Sequence, residues 1–138
     1  MDSIEILERL IAFPTVSRDS NLDLISYVAG LLEAHGIASQ IIHSEDGHKA
    51  NLFATIGPAT DAGVMLSGHT DVVPVEGQDW TLPPFEMTTR DGKLYGRGAA
   101  DMKGFVACAL ATALKAAKME LKTPLHLALS YDEEIGCI

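Results

Sequence analysis

The chain has 138 residues, with 10 Lys+Arg against 19 Asp+Glu, a formal charge of −9 and 47% hydrophobic residues. One domain is the natural count at this length, and the apolar content supplies a core, which excludes a disordered tail. The acid excess and the scattered Lys and Arg exclude a nucleic-acid binder, which needs a basic stripe. The longest apolar stretch, Phe105 to Leu114, is about half of the ~20 residues a membrane span requires.

In chain order, Asp2 followed by Glu5 forms a capping box, and Ile4, Leu7, Leu10 and Ile11 recur at helical spacing. A first helix is therefore expected, ending near Phe13-Pro14. The polar run Ser17 to Asn21 reads as a loop that caps a second helix, with Leu24, Val28, Leu31 and Leu32 as its stripe and Gly36 as its stop. Ile37 to His43, Asn51 to Ile56 and Val64 to Ser67 are short apolar runs bounded by turn residues, and predict strands. Glu86 to Tyr95 reads as a hairpin turned at Asp91-Gly92. Met102 to Lys118 is the strongest helix, rich in Ala and Leu with lysines in its last turn, and Pro124 to Tyr131 is a final strand. Together these elements describe an α/β protein, an α/β/α sandwich with a mixed, mostly parallel sheet.

The amino terminus lacks a basic region followed by an apolar core, so no secretory signal is expected. Cys108 and Cys137 form no C-x-x-C pair. They read as reduced thiols of a soluble, cytoplasmic protein.

Side chains suited to metal binding or proton transfer stand at the ends of elements. His69 and Asp71 follow the strand Val64 to Ser67, Asp101 precedes the long helix, and Asp132-Glu133-Glu134 follow the last strand. In an open α/β sheet ligands bind at the carboxyl ends of strands, so convergence there predicts a site. Residues i and i+2 of extended chain face the same way, which lets Asp71 accept the second imidazole N–H of His69. Asp101 has two readings, helix N-cap or a carboxylate bridging two cations. A dinucleotide loop at Gly96-x-Gly98 is disfavoured, because Asp101 stands where a third small residue is needed and would repel a pyrophosphate. Glu133 and Glu134 read either as solvated loop or as a ligand beside a proton acceptor. His35, His43, His48 and His126 read as ordinary surface or hydrogen-bonded histidines.

The segments Leu66 to Val75, with Gly77-Gln78-Asp79-Trp80 and Pro84-Phe85, then Leu94 to Gly104, then Asp132 to Gly136, resemble the co-catalytic zinc amidohydrolases. That family removes acyl groups from N-acyl amino acids, and the resemblance covers essentially the whole chain. Val75 to Trp80 and Phe13 to Ser20 fit its N-acetylornithine branch better than its desuccinylating branch. The resemblance implies a zinc aminopeptidase-like fold, with His69 on one metal, Asp101 bridging both, Glu134 on the second, Glu133 as general base and Asp71 supporting His69. It implies zinc, two ions per complete site, or cobalt. It further implies hydrolysis of N-acetyl-L-ornithine to ornithine and acetate in arginine biosynthesis, by a homodimer with an inserted lid.

On this reading residues 1–138 form the amino-terminal part of a catalytic domain whose lid and dimerisation domain are absent. Each metal then has two protein ligands, fewer than the three usual for a catalytic zinc, so the chain alone is expected to be inactive. The alternatives are a desuccinylase of succinyl-diaminopimelate or another N-acyl amino-acid hydrolase, and, in another class, a non-catalytic metal-binding fragment.

Overall fold

The computed structural model describes residues 1–60 and 62–137. The first helix, α1 (Ser3–Ile11), starts where the capping box requires. The Asp2 carboxylate accepts the Ile4 and Glu5 N–H groups at 2.9 Å, and Glu5 accepts the Asp2 N–H at 2.7 Å. The exchange pairs donors that a helix start otherwise leaves orphaned. Ile6, Leu7, Leu10 and Ile11 are buried. Ile4, at the edge of that stripe, is exposed. The second helix, α2 (Leu22–Glu33), buries Leu24, Ile25, Val28 and Leu32.

Then follow β1 (Ser39–His43), β2 (Ala50–Ile56) and β3 (Val64–His69), a hairpin of β4 (Thr88–Arg90) and β5 (Lys93–Tyr95), α3 (Lys103–Ala116) and β6 (Leu125–Ser130). The elements match those expected from the pattern of the chain to within a few residues at each end. The main sheet has the order β1-β2-β6-β3. It is mixed, as expected, but not mostly parallel. β1 with β2 and β2 with β6 are antiparallel, and β3 with β6 is parallel. The reason lies in the connections. The short link between β1 and β2 can only make a hairpin, whereas the long path from β3 through α3 to β6 is a crossover.

The helices share one core with Ala50, Leu52, Ala54 and Ile56 of β2 and Leu127 and Leu129 of β6. These strand positions alternate, so they lie on one face of the sheet. The opposite face carries Phe53, stacked on His126 at 5.6 Å, and the exposed Met65. Among the described residues the layers are therefore helix on sheet, and the second helical layer of the expected sandwich is not formed. No described helix is long and apolar enough to cross a membrane.

Parallel pairing of β3 with β6 positions the site. It sets His69 beside Ser130, so the chain leaves both strands at the same end of the sheet. Loop 15–17 joins them there. Val72 N–H donates to the Thr15 carbonyl at 2.9 Å, and Ser17 N–H donates to the Val72 carbonyl at 3.2 Å.

Candidate metal centre

His69, the last residue of β3, is 5% exposed. Its Nδ1 lies 2.9 Å from the backbone carbonyl of Asp71. A carbonyl only accepts, so Nδ1 carries a proton and Nε2 faces the cluster. Nε2 is 3.1 Å from Asp101 Oδ1 and 3.6 Å from Glu133 Oε2. His69, Glu133 and Glu134 each present a ligand atom within 4.8 Å of the others. His69, Glu133 and Glu134 thus gather at one point, and Asp101 meets this cluster at His69 Nε2.

Asp101 reaches it from the loop before α3. Gly98 in that loop has φ +80°, and a Cβ there would sit 2.7 Å from Val72 Cγ1, so only glycine allows the chain to pass this close. The N-cap of α3 is Met102, which makes no side-chain cap. Of the two readings of Asp101, the carboxylate is spent on His69 rather than on the helix. It is 75% exposed and with Glu134 lines a cleft of about 230 Å³ that also includes Val73 and Arg97.

Asp71 supports the cluster differently from the expected pattern. β3 ends at His69, so strict i, i+2 alternation no longer holds beyond it, and the backbone carbonyl of Asp71 takes the imidazole proton. Its Oδ1 lies 3.4 Å from Nδ1. The buried carboxylate instead accepts the N–H groups of Glu133 and Glu134, each at 3.2 Å, and the Ser17 hydroxyl at 2.6 Å. One residue therefore orients the histidine through its carbonyl and the glutamates through its side chain.

Sequence reasoning missed several contributors. Ser17 and Asn21, expected in a polar loop, are buried, as is Thr15 just before it. Asn21 makes no cap hydrogen bond. Its side chain pairs with both backbone groups of Ala50 and donates to Thr70 Oγ1. Lys103 is 1% exposed and donates to the carbonyls of Leu10 at 2.9 Å and Phe13 at 2.6 Å, tying the start of α3 to the end of α1. The only signal for these roles was a cluster of small polar residues, and their partners are remote in sequence. By contrast, His126 bonds Thr55 on the sheet and His35 bonds the Leu31 carbonyl, ordinary roles as expected.

The electrostatics mark crowded negative charge. Burial pulls the His69 pKa down, but the Asp71 carbonyl, the Asp101 carboxylate and the charges of Asp71 and Glu133 outweigh it and raise it above the usual histidine value. Glu134 is also raised, by burial first and then by the charge of Asp101. Protons are held more tightly on these two groups than on free side chains, because negative charge is gathered around them. The donor set fits. Two donors on a tetrahedral zinc lie roughly 3.3 Å apart, close to the 3.1 and 3.6 Å separations around Nε2.

Imidazole and carboxylates meeting at paired strand ends of a mixed α/β sheet make up the scaffold of a metallopeptidase catalytic domain. The chain belongs to peptidase family M20/M25/M40, whose model matches residues 65–138. It is 41% identical to an acetylornithine deacetylase of Shigella sonnei over 95% of its own length, and spans about a third of that relative, 36%. Human carnosine dipeptidase 1 superimposes with a TM-score of 0.84 at 25% identity, over 99% of this chain and 33% of the other. The M20 family metallo-carboxypeptidase Sso-CP2 of Sulfolobus solfataricus gives 0.84 at 26%, over 99% and 32%.

Proposed function

We propose that this chain carries the amino-terminal metal-binding half of an active site that hydrolyses the amide of N-acetyl-L-ornithine, yielding ornithine and acetate for arginine biosynthesis. The observation that carries this reading is the cluster of His69, Glu133 and Glu134, with Asp101 Oδ1 3.1 Å from His69 Nε2. The likeness to acetylornithine deacetylases supports the substrate. Residues 1–138 then form part of a catalytic domain, and the lid and dimerisation module of the homodimeric enzyme lie outside them. The free thiols of Cys108 and Cys137 suit a cytoplasmic setting.

His69, Asp101 and Glu134 would hold the metal, zinc or cobalt, with Asp101 shared between two ions. A metal held there would supply Lewis-acid polarisation of the amide carbonyl and a more acidic bound water. His69 offers the Nε2 lone pair because Asp71 holds the proton on Nδ1. Glu133 accepts a proton from the attacking water and delivers it to the leaving amine. Asp71 fixes the backbone from which both glutamates project. Within residues 1–138 each ion would have two ligands, so the chain by itself is expected to bind metal and to turn over negligibly.

The test is titration of the chain with zinc and cobalt, beside an assay of N-acetylornithine hydrolysis. Binding that is lost in Asp101→Ala supports the reading. No binding, or turnover by the chain alone at the rate of a complete deacetylase, contradicts it. Hydrolysis of N-succinyl-diaminopimelate in preference to N-acetylornithine by a complete protein containing this segment would favour the desuccinylase reading.

A further inference from the structure

We propose that Lys49 is a positioning residue for the metal-binding turn, clamping Asp132 so that Glu133 and Glu134 face His69; the proposal rests on the metal-site reading above. Lys49 stands at the end of the β1–β2 turn, just before Ala50. Its side chain is 14% exposed, unusual for lysine, and runs inward to the carboxyl end of β6. There Nζ donates to Asp132 Oδ1 at 2.5 Å and to the Ser17 carbonyl at 2.5 Å, with the Tyr131 ring 5.9 Å away.

The residue it grips decides where the glutamates point. Asp132 has φ +62°, a left-handed conformation that an L-residue holds only when its surroundings enforce it. It opens the 3₁₀ turn Glu133–Ile135, and its carbonyl accepts the Cys137 N–H at 2.7 Å. The other end of the clamp closes on the same turn. Ser17 donates its hydroxyl to Asp71, whose carboxylate accepts the Glu133 and Glu134 N–H groups. Lys49, Asp132, the glutamate backbone, Asp71 and Ser17 therefore form a closed ring of hydrogen bonds, several of them charge-assisted. Lysine suits the position because one ammonium serves a carboxylate and a carbonyl together. Asp132 itself is thereby committed to Lys49 and turned away from ligand duty.

The experiment compares amide hydrogen exchange and zinc affinity in the 138-residue chain, Lys49→Met, Lys49→Arg and the isosteric Asp132→Asn. Lys49→Met should speed exchange of the Glu133 and Glu134 amides at least about tenfold, with the α1 and α3 core amides unchanged. It should weaken zinc binding about 10–100-fold, the usual cost of losing a partner that orients ligands. Lys49→Arg should restore most of both, and Asp132→Asn should reproduce the loss if Lys49→Met fails to fold. Unchanged exchange and affinity in the folded variants, beside a parent that binds zinc, would overturn the clamp alone. A parent chain that binds no zinc would overturn the metal-site reading and the proposal with it.

Discussion

The carboxylate of Asp71 accepts the backbone N–H of Glu133 at 3.2 Å, across 62 positions of sequence. The same side chain takes the Glu134 N–H and the Ser17 hydroxyl, while its carbonyl orients His69. Asp71→Ala should therefore weaken zinc binding about 10–100-fold. It should also cost about 1–3 kcal/mol of stability, because buried donors lose their acceptor. Calorimetric titration and urea unfolding read the two effects. A variant with unaltered affinity would show that the glutamates keep their places without it.

Glu133 and Glu134 separate by substitution. In a complete protein containing this segment, Glu133→Gln should retain metal and lose most of kcat, because a carboxamide takes no proton. Glu134→Gln should instead lose metal. Elemental analysis with steady-state kinetics distinguishes them. An empty site in Glu133→Gln would make Glu133 a ligand, a role its 3.6 Å approach to His69 also permits.

Burial pushes the Lys103 ammonium down to about 7, against about 10.4 for an exposed lysine. Between those values the unfolded chain keeps a proton that the folded lysine has released, so stability should rise with pH from about 7 to about 10. Lys103→Met should abolish that rise. It should also lower stability by about 1–3 kcal/mol through the unpaired Leu10 and Phe13 carbonyls. Urea midpoints across the pH range test this, and a parent chain with a flat profile there would contradict it.

Leu110 of α3 is fully buried in the shared core. Leu110→Ala should cost about 2–5 kcal/mol, the transfer term plus the cavity left behind. Asp2→Ala, which removes only the capping box, should cost about 0.5–2 kcal/mol. A core variant no more damaging than the cap variant would mean that the helices do not pack as described.

Elements whose residues are neighbours in sequence were legible before any coordinates. Periodicity located α1, α2 and α3, Asp2 and Glu5 marked a cap, and Asp91-Gly92 marked a hairpin turn. His69, Asp101 and Glu134 were recognisable as candidate ligands because each sits at an element end within a distinctive motif. Sheet direction was not legible. It depends on which strands pair, and β6 inserts between β2 and β3, which precede it by many residues. The supporting ring was hidden for the same reason. Nothing near Lys49 announces Asp132, and nothing near Ser17 announces Asp71, since those bonds exist only after the strand ends have met. Asp71 shows the limit of local rules, because its alternation with His69 ends where β3 ends.

The most direct measurement is anomalous diffraction from crystals of this chain grown with zinc. The expected result is a zinc peak about 2.0–2.2 Å from His69 Nε2 and from carboxylate oxygens of Asp101 or Glu134. Zinc bound only at other side chains, or none near His69 in crystals that hold it elsewhere, would contradict the site.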